Sequence, residues 1–257
     1  MTSLEKKYEY PISPPPLTIK RLHRDVSFIK FERRTQEYLD TTIDNLSNPE
    51  EILTISIPYG DITNLKCLSR LCNLRELDIT YNCISNLEPL SGLVNLQTLT
   101  LYGTQILNLE LISGLVNLQT LTLDGNQISN LEPLSGLVNL QTLTLNRNQI
   151  SHLGPLSGLV NLQILSLYRN LISNLGPISG LVNLEKLDIA ANLISDVDAL
   201  KYMFKLDRFC VGSFRITTVI INTIKRNKYQ SILLESTLPK NYRCPLSNLR
   251  EFGILGL

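Results

Sequence analysis

Apolar residues recur along this chain in a frame of 22 residues. With Leu74 as position 1, the first column reads Ile52, Leu74, Leu96, Leu118, Leu140, Leu162, Leu184 and Leu206. Position 4 runs from Ile55 through Leu77, Leu99, Leu121, Leu143, Leu165 and Leu187 to Phe209. Position 6 runs from Ile57 to Val211, and position 11 is isoleucine in all eight copies, from Ile62 to Ile216. Positions 14, 17 and 20 are apolar through the seventh copy. Positions 4 and 6 alternate with polar residues, the period of a short strand with one buried face. The three-residue spacing that follows predicts a tight helical or extended return. One such coil cannot bury its own apolar edge. Stacked coils can, with their strands side by side in a parallel sheet.

Position 9 keeps the same register and is polar between its two ends: Gly60, Asn82, Thr104, Asn126, Asn148, Asn170, Asn192 and Phe214. A buried bend leaves backbone N–H and C=O groups without partners, at about 1–3 kcal/mol each. An Asn side chain carries both donors and an acceptor, so the column Asn82, Asn126, Asn148, Asn170, Asn192 is expected to be a structural ladder joining successive bends. Thr104 supplies only part of this chemistry, which predicts that its turn is the loosest.

The segment LVNLQTLTLNRNQISHLGPLSG and its copies resemble the leucine-rich repeat, LxxLxLxxNxI, in its 22-residue subclass. That subclass is shared by bacterial internalins and by SDS22-like regulators of protein phosphatase 1. Pro89, Pro133, Pro155 and Pro177 are similar to the internalin pattern, and Glu88, Glu110 and Glu132 to that of the phosphatase regulators. The resemblance covers Ile52 to Val219. It implies an α/β fold: a leucine-rich-repeat solenoid, a horseshoe of about eight turns around a curved parallel sheet. It also implies a possible partner, a phosphatase catalytic subunit. Internalins are exported, whereas MTSLEKKYEYPISPPPL contains no apolar run suited to a signal peptide.

The ends depart from the frame. Residues 1–17 are Pro-rich and predict disorder. Residues 18–51 carry Leu22, Val26, Ile29, Leu39, Ile43 and Leu46 at helical spacing and predict an N-terminal cap of one or two helices. The repeats then occupy 52–219, and 220–257 forms a C-terminal cap and tail, with a helix over 219–230. Net charge is +1, but the stretch from Phe209 to Leu257 holds seven basic and two acidic residues.

The polar positions around each strand face away from the core and form the concave side. Positions 7 and 8, at its rim, hold Tyr59, Tyr81, Tyr102, Asp124, Arg147, Tyr168 and Arg169. Tyrosine and arginine carry much of the binding energy at protein interfaces, so these seven are the candidate partner-binding residues. Acid (Glu76, Asp78) lies toward the early turns and base (Arg147, Arg169, Lys186, Arg208) toward the late ones.

Catalytic chemistry finds no constellation. His23 and His152 are the only histidines, and the five cysteines show no CxxC spacing. No phosphate-binding glycine loop occurs, and no stretch reaches the roughly 20 apolar residues of a membrane helix. The sequence thus predicts a non-catalytic protein–protein interaction module, an adaptor or regulatory subunit. It is expected to be monomeric, intracellular and cytoplasmic, with no cofactor, metal or membrane span. An alternative stays open, in which the repeats are a scaffold and the basic C-terminal segment binds nucleic acid or an anionic surface.

Overall fold

A computed structural model describes residues 28–30, 35–84, 86–206 and 208–210. The Pro-rich start, Leu22, Val26, His23, the end of the eighth turn, the C-terminal cap with its helix over 219–230, and the basic segment lie outside the described residues.

Nine strands of three residues each form one sheet. In chain order they are β1 (Phe28–Lys30), β2 (Thr54–Ser56), β3 (Glu76–Asp78), β4 (Thr98–Thr100), β5 (Thr120–Thr122), β6 (Thr142–Thr144), β7 (Ile164–Ser166), β8 (Lys186–Asp188) and β9 (Arg208–Cys210). Their order in space equals their order in sequence, and every neighbouring pair is parallel. The sheet is curved and does not close. From β2 onward the register advances by one frame per strand: Ile55 lies beside Leu77, Leu77 beside Leu99, and so on to Phe209.

Each strand is short because only its central residue faces the core. Leu77, Leu99, Leu121, Leu143, Leu165 and Leu187 are buried, while the residues on either side are not. After the bend the chain returns through 3-10 helices such as Glu88–Leu90, Glu110–Ile112 and Glu132–Leu134. Proline at the second residue of several of these fixes the backbone angle where no N–H is needed. Ile84, Ile128 and Ile172 are at most 2% exposed, and the seven apolar columns merge into one continuous core. Fully burying one such side chain stabilises by about 1.5–3 kcal/mol.

The N-terminal end departs from a purely helical cap. Phe28–Lys30 is a strand, and Ile29 pairs with Ile55 across a frame of 26 residues rather than 22. The extra length holds α1 (Gln36–Asp44) in place of a 3-10 return. This is why a 22-residue count fails there: it brings Lys30, Arg33, Thr35 and Asp40 into core slots. The residues that enter the core are Leu39 and Ile43 of α1, both fully buried. Two side chains clamp α1 to the next coil. Gln36 accepts from the Thr63 and Asn64 N–H groups and donates to the Asn64 carbonyl. At the other end Arg70 donates to the Ile43 and Asp44 carbonyls in the last turn of the helix.

Position 9 forms the interior of the bend. Asn148 is typical: its Nδ2 donates to the Leu123 and Leu145 carbonyls, and its Oδ1 accepts from the Ile128 N–H, all at 3.0 Å. Asn82, Asn126, Asn170 and Asn192 make the same pattern toward their own preceding turns. At Thr104 the pattern is incomplete. Its hydroxyl donates to the Leu101 carbonyl, but it has no amide oxygen to offer the Ile84 N–H, which has no acceptor among the described residues. The next residue, Gln105, also takes a left-handed backbone (φ 64°) that position 10 adopts nowhere else among them. Thr104→Asn is therefore expected to raise the unfolding free energy by about 1 kcal/mol, the worth of one buried hydrogen bond. Urea titration of wild type and variant measures it.

A second asparagine column was equally visible in the sequence but not singled out. At position 22, Asn95, Asn117, Asn139, Asn161 and Asn183 donate from Nδ2 to the carbonyls of Cys72, Val94, Val116, Val138 and Val160, at 2.8–2.9 Å. The two columns tie successive coils together, one at each end of the strand, except at Thr104, where only the second column reaches the coil before it.

Candidate functional site

The concave rim is built where each strand turns into the bend. Position 8 has a left-handed backbone in all seven complete turns: Tyr59, Tyr81, Gly103, Gly125, Arg147, Arg169 and Ala191, with φ between 52° and 65°. The bend needs this conformation so that the N–H of one turn can reach the carbonyl of the next. Tyr59 donates to Thr80, Tyr81 to Tyr102 and Arg147 to Tyr168. Glycine adopts it without strain, whereas other residues pay about 1–2 kcal/mol.

Three of the candidate tyrosines meet. The rings of Tyr59 and Tyr81 stack with centroids 4.9 Å apart, and Tyr81 meets Tyr102 edge-on at 4.6 Å. Each ring leans over the following turn. A Cβ on Gly103 would stand 2.7 Å from the Tyr81 ring, and one on Gly125 would stand 2.9 Å from the Tyr102 ring. The glycines thus serve both the backbone angle and the seating of the aromatic shelf, which ends at Gly125.

Asp124, Asn146 and Tyr168 form the next part of the rim. Asp124 accepts from the Asn146 N–H at 2.7 Å and from Asn146 Nδ2 at 3.1 Å. Asn146 Oδ1 in turn accepts from the Tyr168 N–H at 2.7 Å and from the Ser166 hydroxyl at 2.8 Å. Burial pushes the Asp124 carboxyl above the usual carboxylate range, with the Asn146 bonds and the charge of Arg147 opposing the shift. A folded pKa above the unfolded one means that Asp124 binds its proton more readily in the folded state. Its contribution then favours folding below its unfolded pKa and is lost as the pH rises through its folded one. Unfolding free energy compared between wild type and Asp124→Asn from pH 3 to 7 is expected to show the variant with less loss on raising the pH.

Arg147 and Arg169 follow on adjacent turns, both exposed. Tyr59 is 56% exposed, while Tyr81, Tyr102 and Tyr168 are half-buried. The seven candidates therefore form two groups on one rim: the aromatic shelf over turns one to three, and the Asp124–Arg169 stretch over turns four to six. Sequence reasoning did not find the left-handed column beneath them. Its signal was the pair Gly103 and Gly125 in a column that also holds Tyr59, Tyr81, Arg147 and Arg169.

Elsewhere the chemistry is quiet. Cys67 is buried, and burial, reinforced by the hydrogen bond its thiol donates to the Asp40 carboxylate and by the charge of Asp40, pushes the thiol up to about 12, away from reactive thiolate. His152 is exposed in the outer return, its imidazole lying over Gly154. Among the described residues no group of three or more His, Cys, Asp or Glu could hold a metal ion, and no helix is long and apolar enough to cross a membrane.

The sequence profile described as Leucine Rich repeats (2 copies) matches residues 72–115, 116–159 and 160–202. Among solved structures, internalin C2 of Listeria monocytogenes is similar at 32% identity and a TM-score of 0.65, over 72% of this chain and 80% of that one. An internalin F of the same species is similar at 25% identity and a TM-score of 0.63, over 68% of this chain and 54% of that one. A leucine-rich repeat protein of Leptospira interrogans shares the fold at 24% identity and a TM-score of 0.58, over 73% of this chain and 48% of that one. No curated protein matches the sequence significantly. The repeat frame, the parallel sheet and these matches agree, and the chain belongs to the leucine-rich repeat family.

Proposed function

We propose that this chain is a non-catalytic binding module that holds a protein partner on the concave rim of its coils. Leucine-rich repeat proteins generally mediate protein–protein interaction, and their extended curved faces suit that use. The gripping residues in this reading are Tyr59, Tyr81, Tyr102, Asp124, Arg147, Tyr168 and Arg169. A role as adaptor or regulatory subunit follows from the absence of a catalytic constellation in the sequence. A phosphatase catalytic subunit is one partner that the repeat subclass suggests.

One observation carries the reading. Tyr59, Tyr81, Arg147 and Arg169 all occupy left-handed backbone, where the same column elsewhere holds Gly103, Gly125 and Ala191. Four large side chains are thus kept at positions where each weakens the fold. Backbone strain retained against an available alternative points to function. The early turns add the carboxylates of Glu76 and Asp78, so the face has an acidic and a basic end, which orients a partner of opposite polarity.

The test compares wild type with the Tyr102→Ala, Tyr168→Ala, Arg169→Ala variant. Affinity capture from the native cell, quantified by mass spectrometry, identifies the partner, and calorimetry then measures binding to it. The variant is expected to bind at least about tenfold more weakly, while remaining folded at the temperature of the binding measurement. Unchanged affinity would move the site off the rim.

A further inference from the structure

Arg147 and Arg169 stand out from the other cations of the rim. Arg147 donates its backbone N–H to the carbonyl of Tyr168, at 2.7 Å, which fixes the two arginines on hydrogen-bonded neighbouring turns. Adjacent strands lie about 4.8 Å apart. Both guanidinium groups are exposed, and among the described residues neither donates a hydrogen bond nor enters an ion pair. Two like charges are therefore held side by side, on strained backbone, with their donors unused.

Asp124 meets Arg147 through charge at a distance, without an ion-pair contact among the described residues. The two oxygens of Asp124 accept from the Asn146 backbone and side-chain N–H groups. What these bonds do is hold the site still. Asp124 fixes Asn146, and Asn146 fixes the backbone of Tyr168, the residue just before Arg169. The arginines thus project from a pre-organised edge that also carries the half-buried Tyr168, the residue before Arg169.

We propose that Arg147, Arg169 and Tyr168 form an oxyanion site that receives a doubly charged phosphoryl group. This deepens the concave-rim reading and rests on it. One carboxylate has two oxygens and is satisfied by a single guanidinium fork. A phosphoryl group offers three oxygens and about two charges, so it can accept from two forks at once and cancel their mutual repulsion. Alternate side chains on an extended partner strand are about 6.6 Å apart, wider than the spacing of the two turns, so two strand carboxylates do not match the pair. The source assigned here is a phosphorylated side chain on the partner protein, with an aryl phosphate best able to use the Tyr168 ring.

The experiment uses the full chain and three small probes, phenyl phosphate, benzoate and inorganic sulfate, at matched ionic strength. Two-dimensional NMR follows the Arg147 and Arg169 Nε–H signals and the Tyr168 ring. Phenyl phosphate is expected to shift all three with a dissociation constant of about 1–10 mM, the range of a single-group contact. Arg147→Gln with Arg169→Gln should weaken it by at least about tenfold, while backbone signals elsewhere stay in place. Benzoate binding as well as phenyl phosphate would overturn the phosphoryl assignment, and sulfate doing so would mark a non-specific anion contact and overturn it too. No shift at the arginines, or an unchanged double variant, would overturn the site itself. Those failures leave the rim reading standing, because it falls only if the partner is retained by the variant at Tyr102, Tyr168 and Arg169.

Discussion

Asn148→Ala is expected to lower the unfolding free energy by about 3 kcal/mol. The substitution removes no apolar contact, so the loss comes from the bend. The Ile128 N–H loses its acceptor and has no water to replace it, since Asn148 is only 8% exposed and Ile128 is fully buried. A buried backbone donor without a partner costs about 1–3 kcal/mol. The two carbonyls suffer less. Leu123 also accepts from Asn126, and Leu145 also accepts from Asn170, so each keeps one bond. Their weakened pairing and the void left by the amide bring the sum to about 3 kcal/mol. Urea unfolding followed by circular dichroism measures it. A loss below about 1 kcal/mol would mean that water enters the bend and that the ladder contributes little.

The second large effect has the opposite sign. Arg147→Gly combined with Arg169→Gly should raise the unfolding free energy by about 2 kcal/mol, although the variant loses two long side chains. At φ of 55° and 54° both arginines pay the left-handed penalty, which glycine does not. The gain is partly offset by the greater freedom of glycine in the unfolded chain, leaving about 1 kcal/mol per site. Removing two neighbouring like charges adds to it. The same variant should lose affinity for the partner. Higher stability together with weaker binding would show that these positions trade fold for function; lower stability would remove the strain argument.

The solenoid was legible because its instructions are local and repeated. Each coil states the same seven apolar positions, and a column such as Ile84, Ile128, Ile172 leaves one way of burying itself. The first coil was not legible by the same count, because α1 lengthens it by four residues and shifts Ile29 out of frame. Leu39 and Ile43, four apart, still announced the helix. The rim was half legible. Its residue types were plain, but Tyr59, Tyr81, Arg147 and Arg169 give no sign of left-handed backbone, since none of them is a turn former. The hydrogen bonds of Asp124 come from Asn146, one turn away, and no feature of its own turn reveals them. Left-handed position 8 is a property of the stack, imposed by the bond from each turn to the next.

The paired asparagine columns have a consequence for how such a chain changes. Because the coils of Asn126, Asn148 and Asn170 offer their neighbours the same donors and acceptors at both ends of the strand, a whole coil among them can be copied or lost without exposing a mismatched joint. Each such event would move the arginine pair toward or away from the tyrosines by one strand spacing. The reach of the grip is thus a quantity that unequal recombination can adjust in steps, leaving the chemistry at either end intact.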